Sequence, residues 1–126
     1  MNDDELLEQF EAASIPGDCF PHAEHLRAAF LYLCRYPLLE ALQKFSDALR
    51  RLAGVNGKPE RYHETITWAY VFLVHERMQE DNWEGFASRN PDLLDWRNSI
   101  LKTYYREETL ASAKARRQFV LPDRGV

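Results

Sequence analysis

The stretch Leu38-Leu-Glu-Ala-Leu42-Gln-Lys-Phe45-Ser-Asp-Ala-Leu49-Arg-Arg-Leu52 decides the fold class. Leu38, Leu42, Phe45, Leu49 and Leu52 recur every three or four residues, the spacing of one face of an α-helix. Glu40, Lys44, Asp47 and Arg51 fall on the other faces. The pattern is that of an amphipathic helix laid against a core. Gly54 stands where a helix end accepts a left-handed residue, and Asn56-Gly57-Lys58 reads as the loop beyond it.

The same period extends in both directions. Upstream, Pro37 stops a helix expected over about 21–36, with Asp18 as its candidate N-cap and Leu26, Phe30 and Leu33 on its buried side. Leu6, Leu7, Phe10 and Ala13 mark a first helix over about 3–13, ended by Ser14-Ile-Pro-Gly17. Downstream, Pro59 opens a helix to about Gln79. Its middle, Ile66 to Val74, is apolar almost all round, so this helix is central, and a polar group in its first half needs a partner. A short helix is expected near 83–87. Asn90-Pro91-Asp92 has the residue types of an N-cap, N1 and first turn. Leu93, Leu94, Trp96, Ile100, Leu101 and Tyr104 predict that this helix continues. A last helix is expected over about 107–117, and residues 119–126 as an extended tail in which Pro122 excludes further helix. Short loops make neighbouring helices antiparallel. The expectation is one all-α domain over residues 1–126, a helical bundle of about four main helices plus short additional ones.

Composition agrees. Of 126 residues, 45% are hydrophobic and 29% charged, which suits a single globular domain and not a disordered chain. The net charge of -4 argues against nucleic acid as a partner. The acidic start (Asp3, Asp4, Glu5, Glu8, Glu11) and basic end (Lys114, Arg116, Arg117, Arg124) read as solvated helix faces that also complement helix dipoles. The longest apolar run is too short to span a bilayer, so no membrane is implied, and without an apolar leader the expected location is cytoplasmic. Cys19 and Cys34 lack metal spacing and read as reduced thiols, Cys34 in a core stripe.

Two separated motifs carry the candidate chemistry. His22-x-x-His25 puts two imidazoles one turn apart at the start of the second helix, on a stripe continuing through Ala29 and Tyr32 or Leu33. The positive end of the helix dipole disfavours imidazolium there, so both should be neutral, the form that ligates metal or acts as a base. Tyr62-His63-Glu64-Thr65 opens the central helix. His63 heads a stripe with Ile66, Tyr70 and Leu73, while Glu64 shares a face with Trp68 and Val71, a poor place for an unpartnered carboxylate. Helices two and four run parallel in an up-down-up order, so their N-termini share one end of the bundle.

If the motifs meet, His22, His25 and His63 form a three-nitrogen site for a divalent transition metal ion, with Glu64 as fourth ligand or catalytic base. Tyr62, Thr65 and Thr67 are candidate pocket residues. Arg97 is a candidate clamp for an anionic small-molecule ligand, or the partner of Glu24 or Glu64. His75 reads as surface. The competing expectation is a non-catalytic interaction or regulatory module whose histidines cap helices or bond within a polar core layer.

The segments Phe20-Pro-His22-Ala-Glu-His25-Leu26, Tyr62-His63-Glu64-Thr65-Ile66-Thr67, Asn90-Pro91-Asp92-Leu93-Leu94 and Ala115-Arg116-Arg117-x-Phe119-Val120-x-Pro122-Asp123 span most of the chain. Together they make it resemble a family of small uncharacterised bacterial all-helical proteins with HxxHL and YHET motifs. The resemblance implies a bacterial, cytoplasmic, single-domain protein and singles out the same segments. It implies no activity.

Overall fold

The computed structural model describes residues 1–16 and 20–124; the expected Asp18 cap and the Cys19 thiol lie outside the described residues. Nine α-helices follow in order: α1 (Asp3–Glu11), α2 (His22–Arg35), α3 (Leu38–Val55), α4 (Glu64–Arg77), α5 (Trp83–Arg89), α6 (Pro91–Leu94), α7 (Leu101–Tyr104), α8 (Glu107–Leu110) and α9 (Ala113–Arg117). No strand occurs among the described residues, and the chain is all-α. Among the described residues no helix is long and apolar enough to cross a membrane.

The amphipathic stretch forms α3 as its period requires, burying Leu42, Phe45 and Leu52. Phe45 meets Phe10 of α1 at 5.6 Å between ring centroids and Tyr32 of α2 at 6.4 Å. The central helix is α4, packed against α2, α3 and α9. Its apolar circumference is explained by that three-sided burial. The acidic start of α1 is capped by Asn2, which accepts from the Glu5 N–H at 2.8 Å. Two of its acids pair with α2, Asp3 with Arg27 at 2.8 Å and Asp4 with Arg35 at 2.6 Å. These are surface pairs, each worth under about 1 kcal/mol.

Three expectations need correction, and in two a side chain takes a backbone hydrogen bond from the helix. The helix expected from Pro59 divides: Pro59–Arg61 is a 3₁₀ turn, Tyr62 and His63 are extended, and α4 begins at Glu64. The His63 ring caps α4, accepting from the Ile66 N–H. The helix expected through Leu93 to Tyr104 also divides, into α6 and α7. Asp95 takes the Asn98 N–H at 3.1 Å and Ser99 Oγ takes the Leu101 N–H at 3.2 Å, offering the backbone partners outside a helix. Asn90 holds the N-cap position of α6 with Pro91 after it and Asp92 in the first turn, as expected, but its side chain is spent elsewhere, Nδ2 donating to the Phe86 carbonyl and Oδ1 accepting from Arg77. The third correction is Cys34, which is exposed while Tyr32 and Leu33 take the core side of the last turn of α2.

The chain's last segment is extended yet firmly held. Thr65, fully buried on α4, donates its hydroxyl to the carbonyls of Ala115 (2.7 Å) and Gln118 (2.9 Å) and accepts from the Val120 N–H (3.1 Å). Phe119 stacks on Trp68 at 5.5 Å. The Tyr105 hydroxyl donates to the Val120 carbonyl, and the Asp123 carboxylate accepts from the Arg106 N–H and the Thr109 hydroxyl.

Candidate functional site

The N-terminal ends of α2 and α4 face a cavity of about 1210 Å³. His22 and His25 line it from α2, His63 from the α4 cap, and Tyr62, Thr67 and Tyr70 from around α4. The two sequence motifs therefore share one space. Its floor is apolar, made by Leu26 and Ala29 of α2 with Phe45, Leu49 and Leu52 of α3. The break between α6 and α7 brings Trp96 to the edge, where its ring lies 4.9 Å from that of His22.

The three histidines differ in what remains available to a ligand. His63 is used up. Its Nδ1 accepts from the Ile66 N–H at 3.0 Å, and its Nε2, which must then carry the proton, donates to the Leu110 carbonyl at 2.7 Å. Burial lowers its proton affinity, the Leu110 bond opposing and the nearby Arg116 charge assisting. His22 is half committed: Nε2 donates to the Leu93 carbonyl at 2.8 Å, which fixes the tautomer and leaves the Nδ1 lone pair. Its pKa is also lowered, again by burial first. His25 makes no side-chain hydrogen bond among the described residues; its ring meets Phe20 edge-on at 4.4 Å. Burial, then the neighbouring His22, pushes its pKa down to about 4. Both α2 imidazoles are thus neutral at pH 7, each with an uncommitted nitrogen. Thr67 adds a hydroxyl without a partner among the described residues.

The lowered His25 value makes stability depend on pH with a definite sign. The unfolded imidazole, near 6.5, takes up a proton that the native one refuses until about pH 4. Stability is therefore complete above pH 6.5 and falls as pH drops through that window, by about 3 kcal/mol from His25. His22 and His63 add losses of the same sign. Urea unfolding at pH 7.5 and pH 5.0 should show the drop, and His25→Gln should shrink it. An unchanged drop in that variant would exclude His25 as its source.

The other expected site residues distribute unevenly. Glu64 does not line the cavity: Arg50 donates to its Oε1 at 2.9 Å, and the Tyr62 hydroxyl donates to the same oxygen. Its partner is Arg50 of α3, not Arg97. Tyr62 lies under the Arg50 guanidinium at 4.8 Å, and burial with the Glu64 bond raises its pKa to about 12. Arg97 is exposed and outside the cavity. Thr65 faces away and anchors the C-terminal segment, whereas Thr67 lines the cavity. His75 is exposed, as the sequence suggested. Lys58, Arg61 and Arg116 line the cavity and were not singled out by the sequence; all three stand in loops or short helices, where no periodicity assigns a face. Among the described residues no group of three or more His, Cys, Asp or Glu side chains could hold a metal ion.

The chain matches no family model, and no curated protein or solved structure matches it significantly.

Proposed function

We propose that this is a small-molecule-binding protein whose ligand occupies the cavity between the α2 and α4 N-termini. The observation that carries the reading is His25, a neutral imidazole that makes no side-chain hydrogen bond among the described residues and lines a largely apolar space of about 1210 Å³. A partly exposed imidazole that lines a cavity and makes no bond to the described residues is available to a ligand. His22 Nδ1 and the Thr67 hydroxyl offer two further polar points. A bacterial, cytoplasmic setting belongs to the same reading, on the resemblance of the motifs.

A metal-dependent reading has two imidazoles to draw on, at His22 and His25, because His63 spends both nitrogens on backbone. A purely structural role for the histidines suits His63 well, whereas His25 makes no side-chain hydrogen bond among the described residues.

The test uses Nile red, a neutral apolar dye, with the full chain and with Ala53→Trp, which fills the cavity from α3. The native protein should shift and brighten the dye saturably. Ala53→Trp should weaken binding about 10-fold or more while keeping its helical circular dichroism. Equal dye binding by both, or none by either, overturns the proposal.

A further inference from the structure

The cavity wall has a charge pattern opposite to that of the chain. The protein carries 20 acidic and 16 basic residues. Yet the described residues that line the cavity include Lys58, Arg61 and Arg116 and no aspartate or glutamate. These cations are also unspent. The ion pairs among the described residues engage Arg27, Arg35, Arg50, Arg77 and Arg89. The side chains of Lys58 and Arg61 donate no hydrogen bond among the described residues. Arg116 donates to the carbonyls of Glu60 (2.6 Å) and Tyr62 (3.4 Å), which hold its guanidinium in place without neutralising it. The one carboxylate within the YHET motif, Glu64, is turned to Arg50 instead.

A cavity with an apolar floor, neutral imidazoles and unneutralised cations suits one kind of occupant. From this we infer that the ligand is an organic oxyanion, a carboxylate or phosphate monoester on an apolar body. The head group sits against Arg61 and Lys58, and the body lies over Leu26, Phe45 and Leu52. Guanidinium forks match both oxyanions, and the charge-assisted bonds they make are about twice as strong as neutral ones. The neutral His25 is compatible with an apolar body beside it, since a charged imidazole would be costly to desolvate there. This assignment rests on the cavity being a ligand site, and the experiment separates the two.

Competition against Nile red compares 4-phenylbutyrate, 4-phenylbutyl phosphate, 4-phenylbutanol and 4-phenylbutylamine, which share one apolar body. At least one anion should bind about 10-fold more tightly than the alcohol, and the amine more weakly than either. In the double variant Lys58→Gln, Arg61→Gln the advantage of the anion over the alcohol should fall to about 2-fold, with Nile red binding intact. The tighter of the two anions identifies the head group. If the alcohol or the amine binds as well as the anions, or if the double variant keeps the full anion preference, the inference is overturned. Saturable Nile red binding then still upholds the ligand cavity, whereas loss of Nile red binding in the native protein would sink the cavity reading itself.

Discussion

Replacing Thr65 with valine should lower stability by about 2–4 kcal/mol, although the two side chains have nearly the same shape. The Thr65 hydroxyl is fully buried, shares its single proton between the carbonyls of Ala115 and Gln118, and accepts from the N–H of Val120. Valine leaves these without that partner, and each buried group left unpaired costs about 1–3 kcal/mol. Thr65→Ser keeps the hydroxyl and loses a methyl, so it should cost about 1 kcal/mol. Urea unfolding followed by circular dichroism checks both. If Val and Ser are equally destabilising, packing and not hydrogen bonding holds the segment.

The second large effect is expected at His63. His63→Ala removes the cap of α4 and the donor to the Leu110 carbonyl. A lost cap costs about 1 kcal/mol and an unpaired buried carbonyl about 1–3, so the sum is about 2–4 kcal/mol. Asparagine is a good N-cap, and His63→Asn should recover about 1 kcal/mol of this. The same variants weigh the metal reading. After zinc loading and gel filtration, metal content should not differ between native protein and His63→Asn. A stoichiometric ion present in the native protein and lost in His22→Ala and His63→Asn alike would restore the three-histidine site.

The long helices were legible because their signals are periodic. Leu38 to Leu52 and the apolar middle of α4 could be placed without knowing what they touch, and burial on the predicted faces followed. The breaks were hidden because they depend on single side chains competing for backbone groups. Histidine is not a common cap, so nothing in Tyr62-His63-Glu64 announced that α4 would start at Glu64. Asp95 and Ser99 act in the same way on the helix that was expected to run on from Leu94. At the site, HxxH on one helical face and the expected parallel course of the two helices allowed the motifs to meet without establishing it; the cavity lining of His22, His25, Tyr62 and His63 is read from the structure. Which nitrogens remain free was not legible, since that depends on the carbonyls of Leu93 and Leu110, contributed from 71 and 47 residues away. Arg61 and Arg116 were missed for a related reason: their positions come from tertiary contacts.

The docking of the last segment onto α4 also sets an order of events along the chain. The bonds from Thr65 to Ala115, Gln118 and Val120 close loops of 50, 53 and 55 residues, and the His63 bond closes one of 47. Loops of that length lose chain entropy before any contact repays it, whereas α2 and α3 are joined directly through Tyr36 and Pro37. The α2–α3 hairpin is therefore expected to close at the lowest entropic cost, and the Arg116 side of the cavity depends on the longer closures. Release of residues 107–124 would break the Thr65 and His63 bonds together, so the segment opens only at the cost of that whole set.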